Sequence, residues 1–137
     1  MKKKNNLLFV LIMIISLSCN AQKIERIDIL FVDSDIETPF RISCDKFEEY
    51  FGEDIDSISI EDPVLIEKFS NEINNLVIAD KEKYSLPDTR KKLKLIYNHN
   101  LLEICLDNFV VSKGGKLFLY SDTLKGLIGD NIIREGK

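Results

Sequence analysis

The sequence predicts one small α+β domain, mainly an antiparallel sheet (a hairpin plus a C-terminal meander) with two or three helices packed on one face. Three observations carry this reading. Residues 92–107 alternate apolar and polar side chains at a period of two, the signature of half-buried strands. Asp62-Pro63 followed by apolar residues at i, i+3 and i+4 marks a helix between strand-like segments. The order β-β-α-(β)-α-β-β-β-β-α has no regular βαβ alternation, which argues against a parallel sheet. With 137 residues, 45% of them hydrophobic, the chain can bury one core and not two.

In order along the chain, residues 24–32 set Ile27, Ile29 and Phe31 against Asp28, Leu30 and Val32, predicting a strand. Asp33-Ser34-Asp35 breaks it, and Phe40, Ile42 and Cys44 alternate in a second strand that would complete a hairpin, with Pro39 tolerated at its start. Asp45-Lys46-Phe47-Glu48 has capping spacing, and Phe47, Tyr50 and Phe51 precede the stop Gly52, so a short aromatic-faced helix follows. Ser57–Ile60 is a brief strand. The helix over 63–75 buries Leu65, Ile66, Phe69, Ile73 and Leu76, and polar residues 79–89 form a surface loop.

In 92–107, a two-residue turn at His99-Asn100 pairs Tyr97 with Leu102, Leu95 with Ile104 and Leu93 with Leu106. Lys94 then stands beside Cys105 and Lys92 beside Asp107. Phe109–Val111, the turn Gly114-Gly115 and Leu117–Tyr120 extend the meander. Ser121 caps a last short helix that turns Leu124, Leu127 and Ile128 inward and stops at Gly129, leaving 130–137 as a frayed tail.

The N-terminus reads as an address. Three lysines precede Leu7–Leu17, an apolar run of 11 residues, too short for a span that needs roughly 20. Ser16-Leu17-Ser18-Cys19 resembles the lipobox of bacterial lipoproteins, with Ser18 and Cys19 at its most restrictive places and Ser16 where Leu is usual. The resemblance covers the first 20 residues alone. It implies a leader of residues 1–18, a mature domain of 19–137, and diacylglycerol on the Cys19 thiol with palmitate-type acylation of the new amino terminus. Two or more acyl chains hold a domain on a membrane where one would exchange. Asn20 is not the Asp that marks inner-membrane retention in that family, so the resemblance points to the outer membrane. The alternative is cleavage after Ala21, which releases a soluble secreted or periplasmic domain.

Either route removes Cys19 from the thiol count and leaves Cys44 and Cys105. They form a disulfide, which exported domains often use, or stay as two buried thiols. Strand parity opposes the bridge, placing Cys44 on an apolar face and Cys105 on a charged one.

Catalytic signatures are absent from the sequence: there is no HExxH, GxSxG, CxxC or phosphate loop, and the single histidine, His99, reads as a polar turn residue. Asp33-Ser34-Asp35-Ile36-Glu37 imitates the opening of a calcium loop, but Thr38 and Cys44 stand where its glycine and closing glutamate belong. An unrelated weak calcium site there, or at Glu53-Asp54-Ile55-Asp56, is the alternative to solvated loop acids. No cofactor and no small-molecule substrate are indicated.

Formal charge is −4, and −7 once the first 21 residues are gone, which disfavours nucleic acid as a partner. Residues 28–72 hold 14 acids against Arg41, Lys46 and Lys68, whereas 81–94 hold Lys81, Lys83, Arg90, Lys91, Lys92 and Lys94. These halves either neutralise one another or leave an acidic face that steers a basic partner. The sequence therefore predicts a non-enzymatic protein-binding lipoprotein of the cell envelope. The alternative is an immunity or inhibitor protein that neutralises a toxin or hydrolase in the periplasm.

Overall fold

The computed structural model describes residues 23–135. The leader, the lipobox and Cys19 lie outside the described residues. The elements are β1 (Ile24–Phe31), α1 (Phe47–Phe51) with a 3-10 turn over Gly52–Asp54, β2 (Asp56–Ile60), α2 (Pro63–Asn74), β3 (Lys91–Tyr97), β4 (Leu101–Leu106), β5 (Val110–Lys113), β6 (Lys116–Leu119) and α3 (Asp122–Glu135). The strands form one antiparallel sheet in the order β2-β1-β3-β4-β5-β6, so the chain is an α+β domain.

Alternation along the strands decides which side chains meet which layer. Ile27 and Ile29 of β1, Leu93 and Leu95 of β3, and Ile104 and Leu106 of β4 all point to one face and are fully buried. Helices α2 and α3 cover that face with Ile66, Phe69, Ile73, Leu124 and Ile128. α2 starts where the sequence places it, because the Asp62 carboxylate accepts from the Val64 N–H at 2.9 Å and Pro63 occupies the first helical position. The opposite face carries Leu30 and Val32, which pack with Ile42, Phe47 and Phe51 into a smaller cluster beneath α1. Two helices thus share one face, and the short aromatic helix lies across the other.

The structure departs from three sequence expectations. Residues 40–44 are not a strand, and β1 makes no hairpin with them; its two edges are taken by β2 and β3. Their backbone is satisfied from elsewhere: the Ile42 N–H donates to Asp88 Oδ1 at 2.7 Å and its carbonyl accepts from the Thr89 N–H at 2.8 Å. The β3–β4 register is displaced by two residues, pairing Leu95 with Leu102, Leu93 with Ile104 and Lys92 with Cys105. Asn98-His99 is the turn, closed by Tyr97 N–H donating to the Asn100 carbonyl. A slip of two keeps every side chain on its face, so the apolar pattern cannot distinguish the registers, whereas the observed one sets Lys94 opposite Glu103.

α3 runs past Gly129 to Glu135, and residues 130–135 are helical. Ile132 packs on the core and the buried Asn131 donates to the Leu127 carbonyl at 2.7 Å, so burial outweighs the cost of a helical glycine. Residues 79–89 are a loop, as the sequence predicts; just before it Ile78 pairs with Phe118, so residues 77–79 partly cover the β6 edge.

Phe69 and Phe40 separate core from surface. Phe69→Ala is expected to lower stability in urea unfolding by about 3–5 kcal/mol. Phe40→Ala, at a side chain 60% exposed, is expected to change it by roughly 0.5 kcal/mol or less.

Candidate functional site

The face away from α2 and α3 is roofed by an irregular strap, residues 33–46, together with α1 and the loop 79–90. Backbone without a ladder must find other partners, and here Asp88 and Arg90, just before β3, supply them. Arg90 donates to the Ile36 carbonyl at 3.0 Å, to Thr38 Oγ1 at 2.7 Å and to Asp88 Oδ2 at 2.9 Å. Its guanidinium also lies 5.5 Å from the Phe51 ring centroid. The planar fork of arginine suits this three-way role, which a lysine could not copy.

Cys44 and Cys105 form a disulfide with Cα atoms 5.6 Å apart, closing a separation of 61 residues. Cys105 is fully buried on the strap-facing side of β4. The parity objection came from treating residues 40–44 as a strand; a strap crossing above the sheet can present Cys44 downward whatever its neighbours do.

Next to the bridge, Lys92 is only 3% exposed. Its ammonium donates to Glu48 Oε1 at 3.0 Å and Glu103 Oε1 at 3.4 Å, while Lys94 donates to Glu48 Oε2 at 2.8 Å. A buried ammonium needs such partners, because desolvation would otherwise outweigh its other contacts. The Lys94 hydrogen bond, followed by that from Lys92, holds the Glu48 carboxyl below the usual carboxylate range against its partial burial. Burial pushes the Lys91 ammonium down, opposed by Asp107.

These pairs show where neutralisation stops. Arg90, Lys92 and Lys94 are matched by Asp88, Glu48 and Glu103. Asp33, Asp35, Glu37, Glu53, Asp54 and Asp56 are exposed and make no ion pair among the described residues. They gather at one end of the sheet, since Asp56 pairs with Phe31 where β1 finishes, and Ile36 and Ile55 pack on the same cluster under the strap. Asp33 serves as a turn residue, its Oδ1 accepting from the Asp35 N–H at 3.1 Å. No group of three or more histidine, cysteine, aspartate or glutamate side chains is arranged to hold a metal ion among the described residues.

On the outer side of the strap, Phe40 and Tyr50 meet edge to face at 5.4 Å, 60% and 42% exposed. They line a shallow groove of about 480 Å³ with Arg41, Lys46 and Glu49, the last two paired at 2.6 Å. The charges lining the groove are Arg41 and the Lys46–Glu49 pair, so the aromatic surface is not itself acidic. His99 is exposed at the β3–β4 turn, and Cys44 and Cys105 are consumed in the disulfide. Sequence reasoning missed Arg90 as the hub, since it read as one of six clustered bases, and Phe40 as a surface residue, since it read as part of a strand.

The chain matches no protein-family model, no curated protein and no solved structure.

Two measurements probe the strap. Replacing Cys44 and Cys105 together with alanine is expected to cost on the order of 4 kcal/mol in urea unfolding for a loop of this length. Glu48 has a folded pKa below its unfolded one, so its contribution is present above the ordinary carboxylate range and is lost as pH falls through the depressed value. The urea midpoint of the parent is therefore expected to drop on acidification, and that drop should be shallower in Glu48→Gln.

Proposed function

We propose that this protein is a lipid-anchored component of the bacterial cell envelope, attached through Cys19, that binds a basic protein partner and catalyses no reaction. One observation carries the binding part: the negative charge is not cancelled within the fold. Residues 33–56 hold nine acids against Arg41 and Lys46, and six of those acids stand exposed and unpaired among the described residues at one end of the sheet. Self-repulsion makes such a surplus unfavourable for the isolated domain, and an oppositely charged surface relieves it. The exposed Phe40–Tyr50 pair adds the kind of aromatic contact that concentrates binding energy in interfaces.

The anchor rests on the lysine-led apolar run and on Ser18-Cys19. No helix among the described residues is long and apolar enough to cross a membrane, so a lipid on Cys19 would be what ties the domain to one. Asn20 favours the outer membrane over the inner. The second reading, an immunity or inhibitor protein, uses the same acidic and aromatic surface with the partner specified as a basic toxin or hydrolase.

Intact mass of the protein isolated from its own envelope should show acyl mass on a chain beginning at Cys19; a chain beginning at Gln22 overturns the anchor. A basic partner captured with the intact protein should associate at a rate that falls steeply with salt. Converting Asp33, Asp35, Glu37, Glu53, Asp54 and Asp56 to their amides should lower that rate by about tenfold or more at low ionic strength. A rate indifferent to both salt and the amides would remove the electrostatic basis of the proposal.

A further inference from the structure

β1 is the first element of the described domain and the one nearest Cys19 in the sequence. Its first residue, Ile24, is buried and paired with Tyr97, and only Asn20, Ala21, Gln22 and Lys23 stand between it and Cys19. Five extended Cα steps reach at most about 17 Å. A lipid on Cys19 therefore leaves the end of the sheet from which β1 starts no room to stand clear of the lipid headgroups.

The surface at that end suits such a contact. On one side of β1 is the β3–β4 turn, with His99 exposed and Leu101, the first residue of β4, 55% exposed. On the other side Pro63 shares a cleft with Lys23 and Ile24, and its neighbour Val64 is 61% exposed at the head of α2. Two exposed aliphatic side chains thus flank the strand that carries the anchor. The local charges are mixed, Lys23 and Arg26 against Glu25, Glu61 and Asp62, so attraction to anionic lipid is not what brings this end down. The tether does that, and the aliphatic residues meet the headgroup layer. The six unpaired carboxylates of residues 33–56 lie at the other end of β1, and the strand's eight residues span about 27 Å at the usual rise.

We infer that a lipid bilayer surface is the ligand of this end of the domain: the β3–β4 turn, Leu101 and the head of α2 rest on the membrane, and the acidic end faces away from it. The inference rests on lipidation at Cys19. It adds a direction to the proposed function, because a basic partner would meet the domain from the side opposite the anchoring membrane.

The chain has no tryptophan, so a single introduced indole reports position without a background. Leu101→Trp, His99→Trp and Asp35→Trp, each at an exposed position, would be made in the full chain, purified as the mature acylated protein and reconstituted into phosphatidylcholine vesicles carrying a headgroup nitroxide quencher. Leu101→Trp and His99→Trp should lose most of their emission and Asp35→Trp little. Equal quenching at the three sites, or stronger quenching at Asp35→Trp, on vesicles that retain the protein overturns the orientation alone. Intact protein that does not bind the vesicles overturns the anchor, and the orientation with it.

Discussion

A strap without a ladder can cover a sheet only if its backbone is satisfied and its position is held, and the Cys44–Cys105 bridge, Arg90 and Lys92 do this together. The bridge ties the strap to a fully buried residue of β4. Arg90 satisfies the Ile36 carbonyl and the Thr38 hydroxyl just before Pro39, and Asp88 satisfies Ile42 beyond it. With these in place, Ile42, Phe47 and Phe51 pack on Leu30 and Val32, and the C-terminal end of β1 is covered on both faces. Without them the sheet would expose Leu30, Val32 and Cys105 to water. The small second cluster exists because the strap is pinned, and it adds apolar contact to a hold set by polar groups.

The same pins divide the charge of the molecule. Glu48 is used internally because the Lys92 ammonium is buried and needs an acceptor, and α1 brings Glu48 over it. Glu103 and Asp88 are consumed likewise. Arg90, Lys92 and Lys94 are thereby withdrawn from the surface, while the acids of residues 33–37 and 53–56 find no counterpart among the described residues. Part of the opposition seen in the sequence is thus cancelled across the fold and part survives. The surviving acids of residues 33–56 sit at the end of β1 remote from Lys23, whereas the charges beside Lys23 are mixed, which is what gives the proposed partner and the proposed membrane contact opposite ends of one sheet.

Helix α2, β1 and the meander were legible in the sequence because each carries a local signal that burial then reinforces: Asp62-Pro63 as a cap, Ile27 and Ile29 at strand spacing, Gly114-Gly115 at positive φ in the tight β5–β6 turn. Residues 40–44 carried an equally regular alternation and misled, because Phe40 and Ile42 alternate between water and a buried cluster without belonging to a sheet. Gly129 misled as a helix stop because local propensity for stopping was outweighed by the burial of Asn131 and Ile132 beyond it. Of the candidate site, the acidic turns were legible from composition, while the residues that organise it were not.

By itself the sequence determined the kind of domain and the face each strand residue takes, since both follow from spacing and composition along the chain. Tertiary structure alone decided the β3–β4 register, the course of the strap, the meeting of Cys44 with Cys105 and the choice of which acids remain unpaired. Those outcomes depend on contacts between residues tens of positions apart, such as Arg90 with Ile36 and Lys92 with Glu48, and no local period encodes them. A pattern of period two fixes orientation modulo two residues and nothing finer; the remaining freedom is removed only when turns, charges and a crosslink must all be satisfied in one packing.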